Sequence, residues 1–269
     1  MTTALSRPDP LSSLWHDAPG YTWLALLLIA ALVPLSAALI LDGRMFQGDP
    51  VWQKPLKFHV ALSVYLLTLA VYARFMPDAM RPRRWRIFGG VIIAAILFEV
   101  LWIGAAAALG TASHFNESSV VWIALYAMAG IGAVTLTSAS LAMGISIARN
   151  RETGLPPALH LSLWLGLVLT FVLTVIVAGT LSANGTHLVG MAPTGAQVPI
   201  LGWSREVGDL RVAHFLATHA LHAVPLAGLA ASRLLPARQA TLAVIAASLG
   251  YSALVLGTFA QALAGQPLI

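Results

Sequence analysis

Seven long apolar stretches divide this chain of 269 residues, and each is bounded by charge, proline or glycine. A helix needs about 20 apolar residues to cross the hydrocarbon core of a bilayer. The stretches that fit are residues 21–41, 56–75, 87–109, 119–147, 158–181, 211–233 and 240–263. The sequence therefore predicts an all-α integral membrane protein, a seven-transmembrane helix bundle that forms one domain over residues 21–269 behind a tail at residues 1–20.

The composition agrees with this class. Hydrophobic residues make up 58% of the chain and charged residues only 9%, whereas soluble domains carry about 25% charged residues. The net charge of +5 comes from basic residues in short loops, which is not a pattern for nucleic-acid binding. The chain has no cysteine, which excludes disulfides, iron–sulfur clusters and thiolate metal sites and leaves histidine and oxygen ligands for any metal.

The distribution of lysine and arginine predicts the orientation, because basic residues favour cytoplasmic loops. Ten basic residues fall on the side of the N-terminus: Arg7, Arg74, Arg81, Arg83, Arg84, Arg86, Arg149, Arg151, Arg233 and Arg238. Five fall on the other side: Arg44, Lys54, Lys57, Arg205 and Arg211. We therefore expect a cytoplasmic N-terminus and a periplasmic or extracellular C-terminus, in a bacterial inner membrane or plasma membrane.

One connection is much longer than the others, and it lies on the predicted outer side at residues 182–210. Loops of this length are usually functional or disordered. This loop mixes apolar residues with proline and tryptophan, including Pro193 and Trp203. We expect it to fold as a cap over the outer mouth of the bundle.

The sixth stretch contains three histidines, and ionisable groups inside a span mark a candidate site because they are costly there. At 100° per residue, His214 and His222 share one broad helix face, with His219 about 60° from His222. Asp209 precedes the helix and is placed either to cap its free N–H groups or to act as a base. Pro225 is placed to loosen the helix near His222.

Glu99 is the only carboxylate inside a predicted span, at about the depth of His222. One interpretation pairs the two residues as a proton relay or as metal ligands, so that substituting either would impair function through the same interaction. The alternative is a neutral acid that is hydrogen-bonded within the bundle. Glu99, His222 and Asp209 are the catalytic candidates.

Further candidates lie at the predicted outer ends of the spans. His59 begins the second span at about the depth of His214, and His114 follows the third span. Four cations are near them: Lys54, Lys57, Arg205 and Arg211. They could form a collar for a haem propionate, a lipid phosphate or a substrate carboxylate, although lysines at this level also reach the interface without a ligand.

The first function that fits is a membrane redox protein that binds haem b, or a Zn, Cu or Fe ion, at a histidine-rich site open to the outer face. Haem that is not covalently attached needs axial histidines and basic groups for its propionates. His59, His114 and His214 are the candidate ligands, with the four cations as the collar. A quinone, a lipid or a small anion at the outer face would be the partner.

Two other functions stay open. One is a metal-dependent intramembrane hydrolase or other lipid-active enzyme, with His114, His214 and His219 on the metal, although no HExxH motif is present. The other is a proton-coupled transporter or sensor that uses Glu99 and His222. A retinal protein is excluded because the last span has no lysine.

Overall fold

The structure is a computed structural model that describes residues 10–77, 82–192 and 194–269. Within these ranges the chain forms nine α-helices and two short antiparallel strand pairs. The helices are α1 (Pro10–Asp17), α2 (Pro19–Leu41), α3 (Gln53–Ala73), α4 (Arg83–Leu109), α5 (Val120–Arg149), α6 (Pro157–Ala183), α7 (Leu210–Thr218), α8 (Ala220–Leu234) and α9 (Ala237–Leu263). Arg7, Arg81 and Pro193, which entered the sequence predictions, lie outside the described residues.

Six helices in these ranges are long and apolar enough to cross a membrane, and there are seven if α7 and α8 form one span bent by 50°. This confirms a mostly helical protein of the multi-pass membrane class. The orientation of the spans stays a prediction.

Several helices begin earlier than the apolar stretches predict, and prolines explain where. Pro82, Pro156 and Pro236 each stand immediately before a helix in an extended conformation, with φ near −55° and ψ near +145°. Proline suits this boundary because it restricts the preceding chain to extended conformations and lacks an N–H donor. The first helical turn after each of Pro82 and Pro236 contains arginine, so apolarity alone places these starts too late.

The chain forms two compact units, Met1–Ala139 and Ser140–Ile269, and α5 runs through the boundary. In the first unit α2 packs along α3, which also contacts α1 and α4. Strands β1 (Met45–Phe46) and β2 (Asp49–Pro50) form the turn between α2 and α3. In the second unit α6 packs against α7, α8 and α9. The single domain inferred from the sequence stays a prediction.

The long connection between α6 and α7 carries ordered structure. Strand β3 (Leu188–Val189) pairs with β4 (Gly208–Asp209), which leads directly into α7. Inside the connection Gln197 pairs with Ser204. The loop therefore returns on itself before α7 begins, and its predicted role as a cap over the bundle stays a prediction.

Candidate functional site

The sixth predicted span is interrupted at His219, the single residue between α7 and α8. Its backbone leaves the helical region, with φ −98° and ψ 2°. The N–H of His219 bonds to the Leu216 carbonyl at 3.1 Å, and α8 begins with the N–H groups of His222 and Ala223 on the His219 carbonyl. The sequence analysis expected Pro225 to loosen the helix near His222. The break lies earlier, at His219, and Pro225 sits inside α8, so a loosening of the helix by Pro225 stays a prediction.

Neighbouring helices hold this break open. The hydroxyl of Thr170 on α6 accepts a hydrogen bond from the Leu221 N–H at 2.8 Å. On the other side of the break, the hydroxyl of Tyr251 on α9 donates to the Leu216 carbonyl at 2.8 Å. Helix ends leave backbone groups without partners, and at membrane depth such groups need protein partners because water is scarce. Side chains of two neighbouring helices, α6 and α9, therefore provide hydrogen-bond partners for backbone groups on both sides of the break.

Close packing at Gly166 on α6 lets the broken segment approach. A Cβ atom at this position would lie 2.9 Å from the Ala220 carbonyl oxygen and from Cδ of Pro225. Only a glycine therefore fits here without a shift of the backbone. Neither Gly166 nor the hydroxyl partners were found by the sequence analysis, because their role depends on which helices are neighbours.

The imidazole of His219 is fixed by its own helix. Its Nδ1 lies 2.7 Å from the carbonyl oxygen of Phe215, and because a carbonyl only accepts, Nδ1 carries a proton and the neutral imidazole has its lone pair on Nε2. The ring stacks on Phe215 at a centroid distance of 4.1 Å and lies 5.4 Å from the ring of His222. His214 lies nearby on α7, and its Nδ1 is buried with no hydrogen-bond partner among the described residues.

Asp209 and Arg211 form a clasp at the start of α7. The Asp209 carboxylate, 2% exposed, accepts from the N–H groups of Ser204 (2.9 Å) and Arg211 (3.0 Å) and pairs with the Arg211 guanidinium at 2.6 Å. The same guanidinium donates to the Gly202 carbonyl. These contacts are those of a helix cap that also anchors the long loop. A catalytic role for Asp209 stays a prediction. The anion collar also stays a prediction, and Arg205, one of its proposed members, is exposed on the long loop.

A second cluster, in the first unit, surrounds Glu99 on α4. The residue is 2% exposed, and its Oε1 is buried without a hydrogen-bond partner in the described part of the chain. Gly132 on α5 packs directly on it, since a Cβ there would lie 3.2 Å from Oε1. Lys54 is near enough to interact with Glu99 electrostatically. Buried polar groups usually have a hydrogen-bond partner, so a buried carboxyl oxygen without one marks Glu99 as a candidate functional residue.

Lys54 also binds the connection between α4 and α5. Its Nζ lies 2.7 Å from the Ser113 hydroxyl and 3.1 Å from Nδ1 of His114. Because an ammonium only donates, Nδ1 of His114 is the acceptor and its Nε2 carries the proton. Trp102 fixes the same connection through a 2.8 Å bond from Nε1 to the Ser113 carbonyl. Lys54 therefore has protein partners in this connection. Lys57 lies one turn further along α3, and both lysines are exposed.

His59 is buried on α3 and resembles His219 in its orientation. Its Nδ1 lies 2.9 Å from the Pro55 carbonyl oxygen, four residues back. The carbonyl again requires a proton on Nδ1, so the neutral imidazole has its lone pair on Nε2. Histidines that bind metals usually donate their other ring N–H to such an acceptor.

Two carboxylates outside the spans accept hydrogen bonds that lower their pKa. Bonds from the Arg44 guanidinium and from the Trp52 ring N–H hold the pKa of Asp42 well below its usual range. In the long loop, Glu206 accepts bonds from the hydroxyl and N–H of Thr194 and from the N–H of Gly195, and these bonds lower its pKa. Both clusters order loops that connect spans.

The structure groups the candidates differently from the sequence analysis. Lys54 meets His114 in the first unit, and His219 meets His222 in the second. Among the described residues no three histidine, aspartate or glutamate side chains are close enough to hold a metal ion. The trio proposed for a metal, His114, His214 and His219, combines residues of both units, and it stays a prediction. The pairs Glu99–His222 and His59–His214 each combine residues of different units, and both pairings stay predictions.

The chain matches no protein-family model, no curated protein and no solved structure. Its function must therefore be inferred from the chemistry of these two clusters.

Proposed function

We propose that the protein is a proton-coupled transporter of a bacterial inner membrane or plasma membrane, and that Glu99 is the group that binds and releases the proton. The observation that carries this proposal is the buried carboxyl of Glu99, whose Oε1 has no hydrogen-bond partner among the described residues. Intramembrane carboxyl groups commonly mark proton or ion pathways.

The surroundings of Glu99 favour a group that changes its protonation state. A structural carboxylic acid would have both oxygens satisfied, because a buried polar group without a partner costs about 1–3 kcal/mol. A structural carboxylate would be tightly paired, because an unpaired buried charge costs more. Glu99 has neither arrangement at Oε1, and Lys54 provides a cation within electrostatic reach. These surroundings favour a carboxyl group that gains and loses a proton over a purely structural acid or carboxylate.

The broken span supports transport in particular. Transporters commonly bind their substrates where a transmembrane helix is discontinuous, because the backbone and side chains at the break are then available to a ligand. Here the break between α7 and α8 carries His219, and His222 lies in the first turn of α8. A helix that served only as a structural span would gain nothing from an interruption that two neighbouring helices must satisfy.

Proton movement in proteoliposomes tests the proposal. Vesicles that contain a pH-sensitive dye are exposed to amino acids, carboxylic acids and divalent metal ions, each added singly. The variants are Glu99→Gln and, as a matched control, Glu117→Gln, which changes an exposed carboxylate of the same unit.

We expect at least one solute to change the internal pH in the wild type and in the Glu117 variant, with the response lost in Glu99→Gln. A response that Glu99→Gln retains in full would overturn the proposal. A wild type that moves no protons with any of these solutes would also overturn it, in favour of the second candidate.

The second candidate is a membrane redox protein that binds haem b or a transition metal. His59 and His219 favour it, because each donates its Nδ1 proton to the carbonyl four residues back and leaves Nε2 available as a ligand. This is the usual orientation of a metal-binding imidazole. A quinone, a lipid or a small anion at the predicted outer face would be its partner.

A visible absorption spectrum of the purified protein, recorded before and after reduction, tests this candidate. A Soret band that shifts on reduction, and that weakens in His59→Ala or His219→Ala, would establish haem b. A flat spectrum of protein from cells supplied with haem would refute it.

A further inference from the structure

The rings of His219 and His222 lie close together at the break, with their centroids 5.4 Å apart. We infer that His219 and His222 bind a divalent transition-metal ion at the junction of α7 and α8, and that such an ion is the substrate of the transporter proposed above. That the ion is a transported substrate rests on the proposed function. The location of the site rests on the geometry of the two histidines.

The distance between the rings suits a shared metal. With a metal–nitrogen distance of about 2.0 Å, a metal lies about 3.2 Å from each ring centroid, and two rings at a tetrahedral angle stand about 5.2 Å apart. The centroids of His219 and His222 are 5.4 Å apart. His219 itself lies outside regular helical geometry, whereas His222 lies in the first turn of α8.

His219 is also oriented in advance. The bond from Nδ1 to the Phe215 carbonyl fixes the tautomer, and the ring of Phe215 fixes the plane of the imidazole at a centroid distance of 4.1 Å. Phe215 is itself held by the edge of Trp203, 5.5 Å away. Partners of this kind typically raise metal affinity by about 10- to 100-fold, and here they leave Nε2 of His219 as the ligand atom.

The donor atoms select the class of ion. Neither α7 nor α8 contains a carboxylate, and the chain has no cysteine, so the ligand atoms that the two helices and their junction offer are imidazole nitrogens. Imidazole suits zinc, copper, nickel and cobalt, whereas magnesium and calcium require oxygen ligands. Two protein ligands leave the remaining positions of the ion to water.

An incomplete ligand set agrees with transport. An ion that is to be carried must bind well enough to enter and weakly enough to leave, whereas a closed four-ligand site would retain it. A site of two imidazoles, with water in the remaining positions of the ion, therefore suits an ion that is bound and then released.

Cobalt binding tests the inference, because the visible spectrum of Co²⁺ reports nitrogen ligation directly. Full-length protein without an affinity tag is titrated with Co²⁺ in detergent, as wild type, His219→Ala, His222→Ala and His222→Gln. The matched control is His160→Ala, because His160 donates its Nε2 proton to the Ile147 carbonyl at 2.8 Å and serves the packing of the same unit. Circular dichroism checks the helical content of each variant.

We expect the wild type and His160→Ala to bind one Co²⁺ per chain with a nitrogen-ligated spectrum. The three variants at the break should lose affinity by at least about tenfold, the effect typical of weakening a metal site. No cobalt spectrum in the wild type, or one that is unchanged in these variants, would overturn the inference. That result would leave proton binding at Glu99 intact, whereas retained cobalt binding with no Glu99-dependent proton movement would overturn the proposed function instead.

Discussion

The hydrogen bond from the Leu221 N–H to the Thr170 hydroxyl is the clearest device that holds the broken span, and Thr170→Val removes it with little change of shape. Thr170 is 1% exposed and Leu221 0%, so no water replaces the lost acceptor. A buried donor without a partner costs about 1–3 kcal/mol, which corresponds to a roughly 5- to 150-fold shift in the unfolding equilibrium.

Thr174 provides the control on the same face of α6, one turn further along. It is 5% exposed, and its hydroxyl has no hydrogen-bond partner in the described part of the chain. Thr174→Val should therefore leave stability unchanged or raise it, because it removes a buried polar group that is already unsatisfied. The same chemical change is thus expected to act in opposite directions at positions four residues apart.

Equilibrium unfolding in mixed micelles with increasing amounts of a denaturing detergent, followed by circular dichroism, measures both variants. Equal stabilities of Thr170→Val and Thr174→Val would refute the argument that α6 supplies the acceptor at the break. A loss confined to Thr174→Val would refute it as well.

Two further predictions concern packing and pH. Gly166→Ala should destabilise the protein by about 1–3 kcal/mol through overpacking, because its Cβ would lie 2.9 Å from the Ala220 carbonyl oxygen. The control is Gly179→Ala on the same helix, where no atom lies within 4 Å of the added Cβ. It should be neutral or slightly stabilising in the same assay. The bonds from Thr194 and the adjoining amides lower the pKa of Glu206, so these bonds should persist at neutral pH. They should weaken only as the pH falls through that lowered pKa, below the usual carboxyl value of about 4.3. The rate of amide hydrogen exchange of residues 194–196 should rise at that low pH, and Glu206→Gln should raise it already at neutral pH. Equal exchange rates in the wild type and Glu206→Gln at neutral pH would count against a stabilising role of the Glu206 bonds.

The spans could be predicted from the sequence because their signal is local. A run of about 20 apolar residues has few alternatives to a membrane helix, and Glu99 and the histidines stand out within such runs because ionisable groups are costly there. The first turns of α4 and α9 were missed because the prediction relied on apolarity, and arginines interrupt the apolar pattern there. Pro82 and Pro236 mark the true starts of these helices.

The break and the contacts of the candidate residues could not be predicted in the same way. Pro225 indicates a weak point in the sixth span, but the break lies at His219, where Thr170 and Tyr251 supply partners from two other helices. Lys54 and His114 are 60 residues apart in the chain, and no local pattern indicates that they meet. Convergence of this kind depends on helix order, which hydropathy does not encode.

The protonation of Glu99 is the measurement that tests the central claim most directly. Infrared difference spectra of the protein in lipid, recorded as a function of pH for the wild type and Glu99→Gln, isolate the carbonyl band of this one carboxylic acid. The account predicts a band that is present in the wild type, absent in Glu99→Gln and dependent on pH. A Glu99 band that does not change with pH, or a pH-dependent band that persists in the variant, would contradict it.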